Sequence, residues 1–150
     1  MPQPDQIGPD LADIVSRLRR AMRRAARAAN PAMTLSVAQL EVLSCIAENP
    51  GMRPGELAKA LRLAPSSVAT LLNGLGTTGL VTREALATDR RSVSLTLSAQ
   101  GETAVSQWHN VNAQVISSAL ASLPEGQRAS LASAAPALRD LTAAIDALAG

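Results

Sequence analysis

Apolar residues recur along this chain at two spacings, and the change between them divides it. From Asp10 onward, Leu11, Ile14, Leu18, Met22, Ala25 and Ala29 fall three or four residues apart, the period of one helix face. Asn30-Pro31 stops that helix, and the Pro-rich residues 1–9 before it are expected to be loose. Ser36 followed by Gln39 reads as a capping box, and Val37, Leu40, Leu43, Ile46 and Ala47 then mark a short buried helix ended by Asn49-Pro50-Gly51. Pro54 suits the first turn of a third helix, whose inner face is Leu57, Ala58 and Leu61. Arg62-Leu63-Ala64 connects it to Pro65, which opens a fourth helix carried by Val68, Leu71, Leu72 and Leu75. Gly79 lies where a left-handed cap glycine would close that helix.

The period then drops to two. Val81 to Ala85 is a candidate strand, and Val93, Leu95 and Leu97 alternate with Ser92, Ser94, Thr96 and Ser98, the pattern of a half-buried partner strand. Arg90 and Arg91 stand just before it, where the hairpin would turn. A ribbon with guanidinium groups at its tip suits a narrow negative groove such as the minor groove of DNA. Ser98 caps a long helix with Val105, Trp108, Val111, Val115 and Ala119 facing inward. Leu123-Pro124-Glu125-Gly126 breaks it, and a last helix carries Leu131, Leu138, Leu141, Ile145 and Leu148, with a kink expected at Pro136.

Short helices followed by a hairpin outline a winged helix-turn-helix. The expected fold is mostly α with a small β-hairpin wing: a core at 34–98 flanked by dimerisation helices at 10–29 and 99–148, in one domain spanning 1–150. The flanking stripes approach heptad spacing and are hard to bury within a single chain of this length, so a homodimer interlocked through its termini is expected.

Composition narrows the picture. Hydrophobic residues make up 47% of the 150, Phe and Tyr are absent, and Trp108 is the one aromatic, so the core is aliphatic and the Ala content favours helix. Net charge is +2, but its distribution is uneven. Residues 1–30 hold six Arg against three Asp, and 53–91 hold six basic against three acidic groups; 99–150 hold two Arg against four acids. That asymmetry fits a nucleic-acid face opposite an assembly face. No apolar run is long enough to span a membrane, and no secretory signal opens the chain, so a cytoplasmic protein without a membrane partner is expected. Cys45, the single cysteine, excludes an internal disulfide and sits among apolar neighbours with nothing nearby to activate it for redox sensing. With one Cys and one His (His109) there is no metal set. No Gly-rich phosphate loop, paired carboxylates or supported Cys/His arrangement points to an enzyme or a cofactor.

Asp89-x-Arg91, five residues, then Leu97-Ser98-x-x-Gly101 resembles the wing signature DxRxxxxxLTxxG of the MarR (multiple antibiotic resistance regulator) family, with Ser98 in place of the usual Thr. Gly55-Glu56-Leu57-Ala58, Pro65 to Thr70 and Leu75 to Arg83 are similar to that family's helix-turn-helix, and the resemblance extends over about residues 10–148. It implies a dimeric repressor or activator, here expected to be a repressor, that binds a pseudo-palindromic operator in double-stranded DNA and often answers to a small-molecule effector or an oxidant. On that resemblance the helix opening at Pro65 is the reading helix, offering Ser66, Ser67, Thr70 and Asn73 to base edges; Asn can read adenine bidentately. Relatives often carry an arginine mid-helix where this chain has Ala69 and Thr70, so base readout is expected to be modest. The resemblance also implies that Arg90 enters the minor groove, that Arg91 holds the hairpin or phosphates, and that Asp89 orients an arginine. Arg53, Arg62 and Arg83 are candidates for phosphate contact, and the Arg17, Arg20, Arg24 and Arg27 stripe is expected to be a solvated face. An effector pocket would lie between the dimer helices and the DNA lobe, with Trp108 as its sole aromatic. The competing reading is a winged-helix effector- or protein-binding module without sequence-specific DNA binding, motivated by the small side chains of the reading helix.

Overall fold

A computed structural model describes residues 1–149 of the chain, and for 89–91 and 149 the backbone alone. The elements run α1 (Pro4–Ala29), α2 (Val37–Glu48), α3 (Pro54–Leu61), α4 (Pro65–Thr77), β1 (Val81–Leu86), β2 (Asp89–Leu97), α5 (Ala99–Ala121) and α6 (Glu125–Ala149). They fall into two compact units, residues 1–113 and 114–150.

The core of the first unit is aliphatic throughout. Val42, Leu43 and Ile46 of α2, Leu57 of α3, Val68, Leu72 and Leu75 of α4 and Leu95 of β2 are essentially sealed from solvent, with Met52, Ala58, Val81 and Val105 packed beside them. Each of the Val, Leu, Ile and Met side chains contributes about 1.5–3 kcal/mol on burial, so this cluster is what sets α3 and α4 against the hairpin. No polar side chain is buried among the described residues.

Local chemistry fixes the joints. The Ser36 capping box forms as expected: the Gln39 amide donates to Ser36 Oγ at 3.1 Å and the Ser36 amide donates to Gln39 Oε1 at 2.9 Å. Between α3 and α4 the chain reverses at Arg62, in the left-handed region at φ 51°, with the Leu63 amide donating to the Ala58 carbonyl at 3.0 Å. Gly79, at φ +74°, closes α4 as the Leu80 amide reaches back to the Leu75 carbonyl at 2.9 Å. Strands β1 and β2 then pair antiparallel from Val81 with Leu97 to Ala85 with Val93.

Four features depart from the sequence expectations. Helix α1 begins at Pro4 rather than near residue 10; Pro4 occupies the permissive first turn, and Pro9 sits inside the helix with all of residues 1–10 exposed. Water can satisfy the Asp5 carbonyl that Pro9 leaves without its donor. The hairpin turns at Ala87-Thr88, so Arg90 and Arg91 belong to β2 and not to the turn. The register shifts after Ala85, with Leu86 facing Asp89, the kind of irregularity that twists a ribbon. Finally, Met52 forms a bridge to Leu95: the Gly51 amide donates to the Leu95 carbonyl and the Leu95 amide to the Met52 carbonyl, both at 2.8 Å. This bridge ties the α2–α3 connection to the wing.

The first turn of α5 is pinned to the base of the hairpin. Ser98 Oγ donates to the Gly79 carbonyl at 2.5 Å and accepts from the Gly101 amide at 3.1 Å, while the Ser98 amide donates to the Leu80 carbonyl at 3.1 Å. A Cβ at position 101 would lie 2.1 Å from that same carbonyl oxygen. Ser98-x-x-Gly101 is therefore a packing device: one hydroxyl caps a helix and clamps a turn, and the missing side chain lets the strand in.

The second unit, 114–150, contains no buried side chain among its described residues. Helix α6 is continuous through Pro136, and Leu131, Leu138, Leu141, Ile145 and Leu148 are all exposed along it.

Candidate nucleic-acid interface

Helix α4 buries one face and offers another. Val68, Leu72 and Leu75 point into the core, whereas Ser66, Ser67, Ala69, Thr70, Asn73 and Thr77 are exposed. Ser66, Thr70, Asn73 and Thr77 follow one another by four, three and four residues, so they form one stripe along the helix. Pro65 is exposed at the first helical position. The hydroxyls of this stripe are partly committed. Thr70 Oγ1 donates to the Ser66 carbonyl at 3.0 Å and Thr77 Oγ1 donates to the Asn73 carbonyl at 2.8 Å. Each threonine therefore presents its methyl group and a hydrogen-bond acceptor rather than a donor.

The cationic candidates lie around this helix. Arg53 is the exposed residue preceding α3, its amide held by Glu56 Oε2 at 2.8 Å. Arg62 is exposed at the left-handed reversal between α3 and α4. Arg83 is exposed on β1, and its Nη2 donates to Asn73 Oδ1 at 2.9 Å. Of the residues selected from the sequence, Asn73 and Arg83 are thus brought into direct contact. The side chains of Asp89, Arg90 and Arg91 lie outside the described residues.

A second feature opens near the end of α1. Arg23, Arg27 and Asn30 line a cavity of about 400 Å³ together with Met33, Thr34, Leu35, Ser36, Gln39, Leu40 and Trp108. Sequence periodicity missed Arg23, which falls outside the Arg17, Arg20, Arg24 and Arg27 stripe. Arg17 of that stripe pairs with Asp13 at 2.8 Å on the exposed helix surface. Cys45 packs half-buried in α2 with its Sγ 4.0 Å from Met52 Sδ. Burial first, and then the Glu48 carboxylate, push its thiol up from the ordinary range, which disfavours the reactive thiolate. No group of three or more metal-binding side chains occurs among the described residues.

The MarR family model matches residues 35–93, the span from the α2 cap into β2. An uncharacterised HTH-type transcriptional regulator of Mycobacterium bovis is 31% identical over 130 residues, covering 87% of this chain and 88% of that protein. A Pseudomonas aeruginosa PA01 protein assigned as a transcriptional regulator superposes with a TM-score of 0.80 at 31% identity, over 95% of this chain and 97% of that one. A Staphylococcus aureus MepR mutant solved bound to an oligodeoxyribonucleotide shares the fold, with a TM-score of 0.67 at 18% identity over 92% of this chain and 97% of that one. The helix-turn-helix, the hairpin clamped by Ser98 and Gly101, and these likenesses agree: the chain belongs to the MarR family of winged helix-turn-helix transcriptional regulators.

Proposed function

We propose that this DNA-binding regulator works as a homodimeric repressor that occupies a pseudo-palindromic operator. The chain acts as a single domain, with 34–98 as the DNA-binding lobe and 10–29 and 99–148 as dimerisation helices. The observation that carries this reading is the α4 face: a continuous exposed stripe of small polar side chains opposite a sealed apolar face. Small residues let a helix sit close to base edges, and two symmetric copies of α4 about 34 Å apart would meet successive major grooves. Ser66, Ser67, Thr70 and Asn73 read that groove, with Pro65 setting the helix start. Arg53 and Arg62 meet phosphates beside it. On the wing, Arg90 enters the minor groove, Arg91 holds the hairpin or a phosphate, and Asp89 orients an arginine. Occupation of two half-sites blocks a promoter without any further activity.

Dimerisation is supported by apolar surface with no partner inside the described chain. Ile7, Ile14, Val15 and Leu18 of α1, Ile116 of α5, and Leu131, Leu138, Leu141, Ile145 and Leu148 of α6 are all at least 39% exposed. Apolar side chains concentrated on helix faces to this extent mark an interface. A small-molecule effector fits the cavity beside Trp108, where Arg23 and Arg27 supply positive charge. A ligand there would bear on the α1–α2 junction and favour one arrangement of the lobe over another. No described helix is long and apolar enough to cross a membrane, and a DNA partner fits a cytoplasmic site of action.

Arg90→Ala tests the wing. Binding to a selected operator should weaken by about tenfold, with reduced preference for a narrow, A·T-rich minor groove at the flanks. Unchanged affinity and unchanged flank preference would remove the minor-groove role. Wild-type binding should also fall steeply with salt as phosphate contacts release counterions.

A further inference from the structure

The bond between Arg83 and Asn73 joins a strand residue to the reading helix across ten positions of sequence. Its geometry fixes more than a distance. A guanidinium carries only donors, so it faces the carboxamide oxygen of Asn73 and never the nitrogen. With Oδ1 held at 2.9 Å by Arg83 Nη2, the NH₂ group is the end of the Asn73 carboxamide that Arg83 leaves for other partners. The positive charge polarises the amide and strengthens its N–H donors. Around it, the Thr70 and Thr77 hydroxyls have donated to the backbone and present acceptors and methyl groups. Asn73 is then the dedicated donor in the middle of the stripe.

We infer that Arg83 is a positioning residue for base recognition rather than a phosphate contact. It locks the Asn73 carboxamide with its donors outward, so Asn73 favours guanine, whose major-groove edge carries two acceptors, N7 and O6. Adenine presents one acceptor and one amino group, and bidentate reading of adenine would have to share the Asn oxygen, one of whose two lone pairs Arg83 already engages. The same bond couples β1 to α4, so the wing and the reading helix meet the duplex as one piece. This rests on the reading above that α4 lies in the major groove.

The test is the binding of wild type, Arg83→Leu, Arg83→Gln, Asn73→Ala and the Asn73→Ala/Arg83→Leu double variant. Each is titrated against a selected operator and a panel carrying every base substitution in one half-site, over a salt series. Thermal unfolding checks that each variant is folded. Arg83→Leu should lose about tenfold of discrimination at a single G·C pair, the same pair that Asn73→Ala relaxes, and the double variant should lose no more than either. Arg83→Gln, which keeps a neutral donor for Oδ1, should hold the preference within about twofold, and the salt slope should stay at the wild-type value in all of them. A uniform loss of affinity in Arg83→Leu and Arg83→Gln, with guanine preference intact and a salt slope smaller by about one, overturns the inference and returns Arg83 to a phosphate. An Asn73→Ala variant indistinguishable from wild type on every sequence overturns it differently, by removing Asn73 from the interface.

Discussion

At position 101 the chain has no room for a side chain. The Leu80 carbonyl oxygen that accepts from the Ser98 amide sits where a Cβ would be, 2.1 Å away. Because that atom is backbone, it cannot swing aside, and Gly101→Ala must push α5 off the hairpin base. The expected cost is about 1–3 kcal/mol of stability, read as a lower denaturant midpoint with an unchanged slope; an unaltered midpoint would show that the clamp yields freely. The Ser98 and Gly101 spacing was legible in the sequence because its cause is local, a cap and a close approach within one turn. The Asn73–Arg83 bond was not. Both residues were legible as separate candidates, but their contact crosses from a helix to a strand, and no spacing rule connects them. The committed hydroxyls of Thr70 and Thr77 were likewise invisible, since composition reports a hydroxyl but not which way its proton points.

Elements with a strong apolar period stand close to where that period puts them, from the Ser36 cap of α2 to the Gly79 close of α4. Where the structure departs from the pattern, the reasons are physical. Helix α1 begins at Pro4 because a first-turn proline lacks nothing that the helix needs there, and the loose-looking composition hid that. The wing turn falls at Ala87-Thr88, two residues without the turn chemistry that sequence rules weigh. The Met52–Leu95 bridge is one residue pair long, too short for any periodicity to register. Helix α6 is the opposite case: its stripe of Leu and Ile is plain in the sequence and stays exposed in the fold. On the homodimer reading this stripe is interface. Leu138→Glu combined with Ile145→Glu should therefore lower the dimer fraction at micromolar concentration at least about tenfold, since two charges would be placed in a desolvated contact. Sedimentation that still returns twice the 15.5 kDa chain mass would take α6 out of the interface.

For the molecule as a whole, charge, exposure and symmetry bear on one operation. The basic groups gather in residues 1–30 and 53–91, the stretches that hold α1, α4 and the hairpin, while most of the large exposed apolar side chains lie on α1, α5 and α6. A chain that carries both sets of side chains is expected to meet DNA and its own copy. Fold class and broad function were legible from the sequence because both reside in contiguous motifs; of the cavity only Trp108 was legible, and its Arg23 and Arg27 lining was not, because the cavity draws on α1, α2 and α5 at once. The proposed activity is the reading of a specific duplex by a symmetric dimer. Repeated selection of bound fragments from a random double-stranded DNA pool at physiological salt measures it directly. The predicted result is one enriched inverted repeat with half-site centres about one helical turn, 10–10.5 base pairs, apart, bound far more tightly than unselected DNA. A pool that binds without enriching any repeat would rule out sequence-specific reading and leave a winged-helix module that does not read sequence.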